Sequence, residues 1–103
     1  MGSDDAFFRR QGALMVSGLG QFQRGETTLN ALTNHLDGLW WAASDYDPEW
    51  RAEFRRAWAV LEEVNAVQLD EGHRAPTNLE QRLTSEALGK IESLAFQLSK
   101  PIP

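Results

Sequence analysis

Apolar residues recur along this chain at helical intervals in four separate stretches, each bounded by turn-forming or capping residues. Phe8, Met15, Leu19 and Phe22 share one helical face. Leu29, Leu32, Leu36, Leu39, Trp40 and Ala43 form a second stripe; Trp50, Phe54, Ala57, Leu61 and Val64 a third, with Trp58 on its flank; Leu83, Ala87, Ile91, Leu94 and Leu98 a fourth. No stretch alternates apolar and polar residues long enough to predict a strand. The expected helices cover 5–24, 28–44, 48–71 and 78–99.

The boundaries carry their own signals. Asp4 or Asp5 can cap the first helix, and Gly25 stops it. Gly12, Gly18 and Gly20 inside that helix each cost about 1 kcal/mol relative to alanine, so they mark either close helix approach or an early end. Thr27 or Thr28 opens the second helix. Asp47-Pro48 reads as an N-cap followed by the first helical residue, and Gly72 closes the third helix. Thr77-Asn78-Leu79-Glu80 matches a capping box, and Pro101 ends the fourth helix. Connections of a few residues make sequential helices antiparallel neighbours. The expected fold is all-α, a single domain over 1–103 folded as a compact antiparallel four-helix bundle.

Composition narrows the function. The 103 residues include no cysteine, which excludes a disulfide scaffold and a cysteine metal site. No apolar run is longer than Leu39–Ala43, far short of a bilayer span, and the start Met1-Gly2-Ser3-Asp4-Asp5 is acidic where a signal peptide is basic. A cytoplasmic protein is expected. The net charge of −5 argues against nucleic acid and anionic membrane as partners.

That charge is concentrated. Residues 26–50 hold Glu26, Asp37, Asp45, Asp47 and Glu49, with no Lys or Arg, alongside Trp40, Trp41, Tyr46 and Trp50. Acid mixed with large aromatics suits a grip on a basic protein: aromatics supply buried contact, carboxylates supply steering. On the second helix Trp41 points about 160° from the apolar stripe, with Asp37 and Asp45 one turn to either side. Trp41 is therefore an interface anchor inside an acidic rim, or else another helix or the N-terminal arm covers it. Trp40, Trp50 and Trp58 follow the stripes and belong to the core. Asp47 is explained by capping alone; Asp45 and Glu49 are not.

Other outward residues have simpler readings. Phe96 packs on the tail Lys100-Pro101-Ile102-Pro103. Arg51, Arg55 and Arg56, interleaved with Glu53 and Glu62, form a solvated, salt-bridged surface. Asn65 and Gln68 lie close to the buried face and need hydrogen-bond partners. Catalytic chemistry is not visible. A di-metal carboxylate bundle needs Glu-x-x-His on two helices, and neither His35 nor His73 has a Glu three residues before it. No phosphate loop, nucleophile elbow or H-E-x-x-H motif occurs. The expectation is a non-enzymatic protein with no cofactor and no metal.

The sequence of features, a Phe-rich first helix, the turn Gly25-Glu26-Thr27-Thr28-Leu29, a leucine-patterned helix, an acidic turn and then Trp50, Phe54, Trp58 and Leu61-Glu62, resembles small all-α bacterial immunity proteins. These are the partners of contact-dependent-inhibition toxins and the colicin D immunity-like group. The resemblance runs from about Phe7 to Leu98 and rests on helix lengths and aromatic placement. It implies a protein that binds and blocks a cognate toxin C-terminal domain, often a nuclease. Carboxylates would then occupy phosphate positions in a basic groove. The expected contact set is Asp37, Trp41, Asp45, Tyr46, Asp47 and Glu49, with Glu26 and Glu53 at its rim. The free protein would be a monomer or a homodimer. The alternative is a helical adaptor or homodimeric regulatory module that packs through Trp41 and Phe96.

Overall fold

A computed structural model of the chain describes residues 2–72 and 75–99, with side chains for 6–72 and 75–98. Four helices follow in order: α1 Gly2–Gln23, α2 Leu29–Ala42, α3 Pro48–Asp70 and α4 Asn78–Ser99. Connections of five, five and seven residues force each helix to run back along its predecessor. Packing occurs between α1 and α2, α2 and α3, α3 and α4, and α4 and α1, with no diagonal contact among the described residues. The helices thus stand at the corners of a square, as an antiparallel four-helix bundle.

Local chemistry sets the ends. The Thr28 hydroxyl accepts from the Ala31 amide at 3.1 Å, and the Asp47 carboxylate from the Trp50 amide at 2.9 Å. Thr77 and Glu80 satisfy one another's amides reciprocally, at 2.9 and 3.1 Å. Gly25 and Gly72 both sit at φ +75°, where a Cβ would be strained, and close α1 and α3. α1 begins at Gly2, so Asp4 and Asp5 lie within the helix and do not cap it; their side chains, His73 and the tail from Lys100 to Pro103 lie outside the described residues.

The core is continuous across all four helices. Met15 and Leu19 come from α1, Leu32, Leu36 and Leu39 from α2, Trp50, Phe54 and Leu61 from α3, and Leu88, Ile91, Leu94 and Leu98 from α4. Phe54 lies at its centre, fully buried and stacked on Trp50 with ring centroids 5.2 Å apart. The Trp50 indole N–H donates to the Leu94 carbonyl at 2.8 Å, so the ring packs without stranding its polar atom. Asn65 is buried and donates to the Asn30 side-chain oxygen at 2.9 Å, a polar tie between α3 and the start of α2.

The stripes predicted most of this core, with two corrections. Leu83 is 37% exposed and lies on the outer groove between α3 and α4, while Leu88 and Ala95, outside the stripe as drawn, are buried. Trp40 and Trp58 are only half-buried. They close the α2–α3 seam from outside, because a wheel angle near the edge of a stripe meets the neighbouring helix rather than the centre.

Gly18 is needed for the α1–α2 approach. A Cβ there would fall 2.7 Å from Cδ2 of His35, whose Nε2 lies 3.2 Å from the Leu14 carbonyl. Close approach, one of the two readings open for the α1 glycines, applies at this position. In a His35→Ala background, Gly18→Ala is expected to raise stability by up to ~1 kcal/mol, the ordinary helix gain of Ala over Gly. In the wild-type background the displaced imidazole should offset that gain. Urea melts of the four-member cycle measure the difference.

Candidate functional site

One end of the bundle gathers the start of α1, the α2–α3 turn and the end of α4; the opposite end gathers the other two turns. Phe8 meets the ring of Tyr46 edge-on at 4.9 Å, and Tyr46 meets Trp50 at 5.2 Å. Tyr46 is therefore an inward, half-buried plug on the core. Phe8, 38 positions away, covers part of the ring, so only the remainder of Tyr46 is open to the expected contact set.

Trp41 is 60% exposed, and no helix covers it. Its ring stands edge-on to Trp40 with centroids 5.0 Å apart and planes at 83°. Trp40 is itself held firmly. Its indole N–H donates to the Arg51 carbonyl at 3.0 Å, and the Arg51 guanidinium donates back to the Trp40 carbonyl at 2.6 Å and the Ala43 carbonyl at 2.8 Å. The last carbonyls of α2 thus receive a cation from α3, the favoured charge at a helix C-terminus. Arg51 lies 3.8 Å over the Trp40 ring; Arg55 lies 4.5 Å from Trp40 and 4.0 Å from Trp58. The Trp58 indole donates to the Thr33 carbonyl at 2.8 Å. Guanidinium groups and indoles alternate along the seam, and Trp41 continues that ladder outwards.

This arrangement revises the expected charge of the face. Arg51 and Arg55 are half-buried against the seam indoles, and Arg55 keeps the expected ion pair at the surface. Asp37 is committed to Arg55, with Nη1 and Oδ1 2.6 Å apart. Among the described residues, the acids of the expected contact set at this end without a cation partner are those in and just after the α2–α3 turn. Asp45 and Glu49 form no ion pair among the described residues, and Asp47 uses one oxygen as the α3 cap. Arg9 and Arg10 lie next to Phe8 and belong to the same end of the bundle. Among the described residues neither forms an ion pair.

Two outlying acids do not join the patch. Glu26 lies at the other end of α2, a helix of 14 residues, which puts it ~20 Å away. There it accepts two bonds from Arg24, at 2.9 and 3.2 Å. That bonding lowers the Glu26 pKa and raises that of Arg24, but both groups are solvated. Glu53 faces α4 and lies 3.7 Å from Lys90. Asp37 lies one turn before Trp41 on α2; the helix ends at Ala42, so Asp45 and Asp47 follow in the turn rather than on the Trp41 helix face. Glu49 is the second residue of α3 at the same end, Tyr46 packs on the core, and Glu26 and Glu53 stand apart. Arg51 and Arg55 are the residues sequence reasoning missed; their spacing from Trp40 across the turn was the only available signal.

A second concavity, of about 600 Å³, opens at the far end between α1 and α4, with Phe22, Leu29 and Leu88 below and Gln68, Thr84 and Ser85 around it. Among the described residues no cluster of three or more His, Cys, Asp or Glu could hold a metal ion, and no helix is long and apolar enough to cross a membrane. No protein-family model, curated protein or solved structure matches this chain, so the site is read from its own geometry.

Proposed function

We propose that this chain is a non-enzymatic binding protein that captures a basic protein domain through Trp41 and the acidic α2–α3 turn, in the manner of a toxin-neutralising immunity protein. The observation that carries the reading is the pose of Trp41. A large, exposed aromatic is held edge-on by a neighbour that two arginines and two hydrogen bonds lock in place. A rigid anchor loses little side-chain entropy on binding, which is why such aromatics dominate interface energetics. Unpaired Asp45 and Glu49 supply the steering charge at the rim. The resemblance of the helix order to immunity proteins gives this binding its biological form, with a toxin C-terminal domain as the basic partner in the cytoplasm.

Co-expression tests it. The chain is produced beside the product of the gene immediately upstream of its own, and co-purification and growth are measured. Rescue of growth with a bound complex supports the reading; a harmless upstream product or no complex removes the immunity form. In the complex, Asp45→Lys with Glu49→Lys is expected to weaken affinity about 10-fold. Most of that change should fall in the association rate and its salt dependence, as rim charges act. Thermal melting should fall by no more than about 10 °C, the cost of placing a cation in the first turn of α3, because both side chains are exposed. An unaltered association rate would sink the role of the turn.

A further inference from the structure

We propose that the outer groove between α3 and α4 is a dimerisation surface whose occupant is a second copy of this chain. The groove, about 380 Å³, has Ala57, Val60, Leu83 and Ala87 along its floor. Two further exposed apolar residues extend it towards the α3–α4 turn: Leu79, 59% exposed and one turn before Leu83, and Val67, 38% exposed and two turns after Val60. An apolar strip flanked by charge is the ordinary anatomy of an interface.

The lips of the groove decide which partner fits. Glu53 and Arg56 stand on the α3 lip, Lys90 and Glu86 on the α4 lip. Glu53 and Lys90 are paired at 3.7 Å, which fixes them at one level of the bundle. One turn further on, Arg56 and Glu86 face the same groove, yet neither makes an ion pair or hydrogen bond among the described residues. A second copy related by a two-fold axis parallel to the helices places α3 of one protomer across from α4 of its partner. Such a rotation leaves every residue at its own level. Arg56 then faces Glu86 of the other copy, Glu86 faces Arg56, and Val60 meets Leu83. Both unpaired charges are satisfied twice over by one symmetry operation, the self-complementarity of an isologous interface. A basic partner would meet Arg56 and Lys90 with repulsion, and an acidic one would meet Glu53 and Glu86.

The contact is short. It covers about four turns, ~22 Å, along two helices ~10 Å apart. That is small for a stable interface, so a concentration-dependent dimer is expected. The Trp41 face lies on the α2 flank of α3, so dimerisation leaves it free and makes the molecule bivalent. The dimer does not depend on the toxin-binding proposal.

Sedimentation equilibrium of the full chain from ~10 µM to ~1 mM tests this. Reversible self-association is expected. Arg56→Glu and Glu86→Arg should each weaken it at least 10-fold, since each sets like charges across the interface twice. Mixing the two variants should restore association as a heterodimer, because every Glu then faces an Arg. Both positions are exposed, and unchanged melting of each variant confirms that folding is intact. A wild-type chain that stays monomeric throughout overturns the proposal. So does a dimer that neither single variant weakens, which would place the contact on another face.

Discussion

Replacing Trp50 by alanine is expected to remove about 3–5 kcal/mol of stability, a large fraction of the roughly 5–15 kcal/mol that holds a domain of this size together. The side chain is almost wholly buried, stacks on Phe54, meets Tyr46 edge-on and donates its indole N–H to the Leu94 carbonyl. It therefore ties the start of α3 to the end of α4 and carries the aromatic column that reaches Phe8 on α1. Alanine leaves a cavity bounded by rigid helices that cannot collapse to fill it. The melting temperature should fall by roughly 15–30 °C, or the variant should not fold at all. Trp50→Phe is the control. It keeps most of the ring and loses the hydrogen bond, so it should cost only ~1–2 kcal/mol. Urea denaturation of both variants separates the terms. Equal losses for Ala and Phe would mean that the hydrogen bond, rather than the packed ring, is what matters.

That column also shows where the sequence was legible. Asp47-Pro48 announces the start of α3, Thr77 to Glu80 the start of α4, and Gly25 and Gly72 the stops, because capping and positive φ depend on residues within one turn. The bundle follows from those boundaries and from stripes that each bury one face. Legibility ends where a side chain is settled by another helix. Tyr46 between two aspartates has every local mark of an exposed loop residue, yet Phe8 covers part of it. Leu83 belongs to the α4 stripe by angle, but at that level α3 presents Val60 and Ala57, and the leucine lines their outer groove. The cluster Arg51, Arg55 and Arg56 divides in the same way: two guanidiniums turn to α2, and the third faces α4. Charge summed along the sequence placed five acids in one region. The ~20 Å length of α2 then separates Glu26 from the rest.

Trp40 and Trp41 are neighbours in sequence with opposite expected roles, and exchanging each for alanine should separate stability from binding. Trp40→Ala removes the indole that donates to the Arg51 carbonyl and over which Arg51 and Arg55 lie. The α2–α3 seam should lose about 2–4 kcal/mol, a half-buried ring plus its cation–π contacts. Trp41→Ala removes a ring 60% exposed, so unfolding should change by no more than ~0.5 kcal/mol. Affinity for the partner found by co-expression should nevertheless fall by at least 2 kcal/mol, about 30-fold, as for an aromatic anchor at the centre of an interface. The loss should appear in the dissociation rate, in contrast to the association-rate effect expected for Asp45 and Glu49. Unchanged affinity in a folded Trp41→Ala protein would move the interface elsewhere. The ring would then be only the outermost step of a ladder whose purpose is to lock α2 onto α3. A 30-fold loss without destabilisation would give the ladder a second purpose, because the contacts that fix Trp40 are also what hold Trp41 ready for a partner.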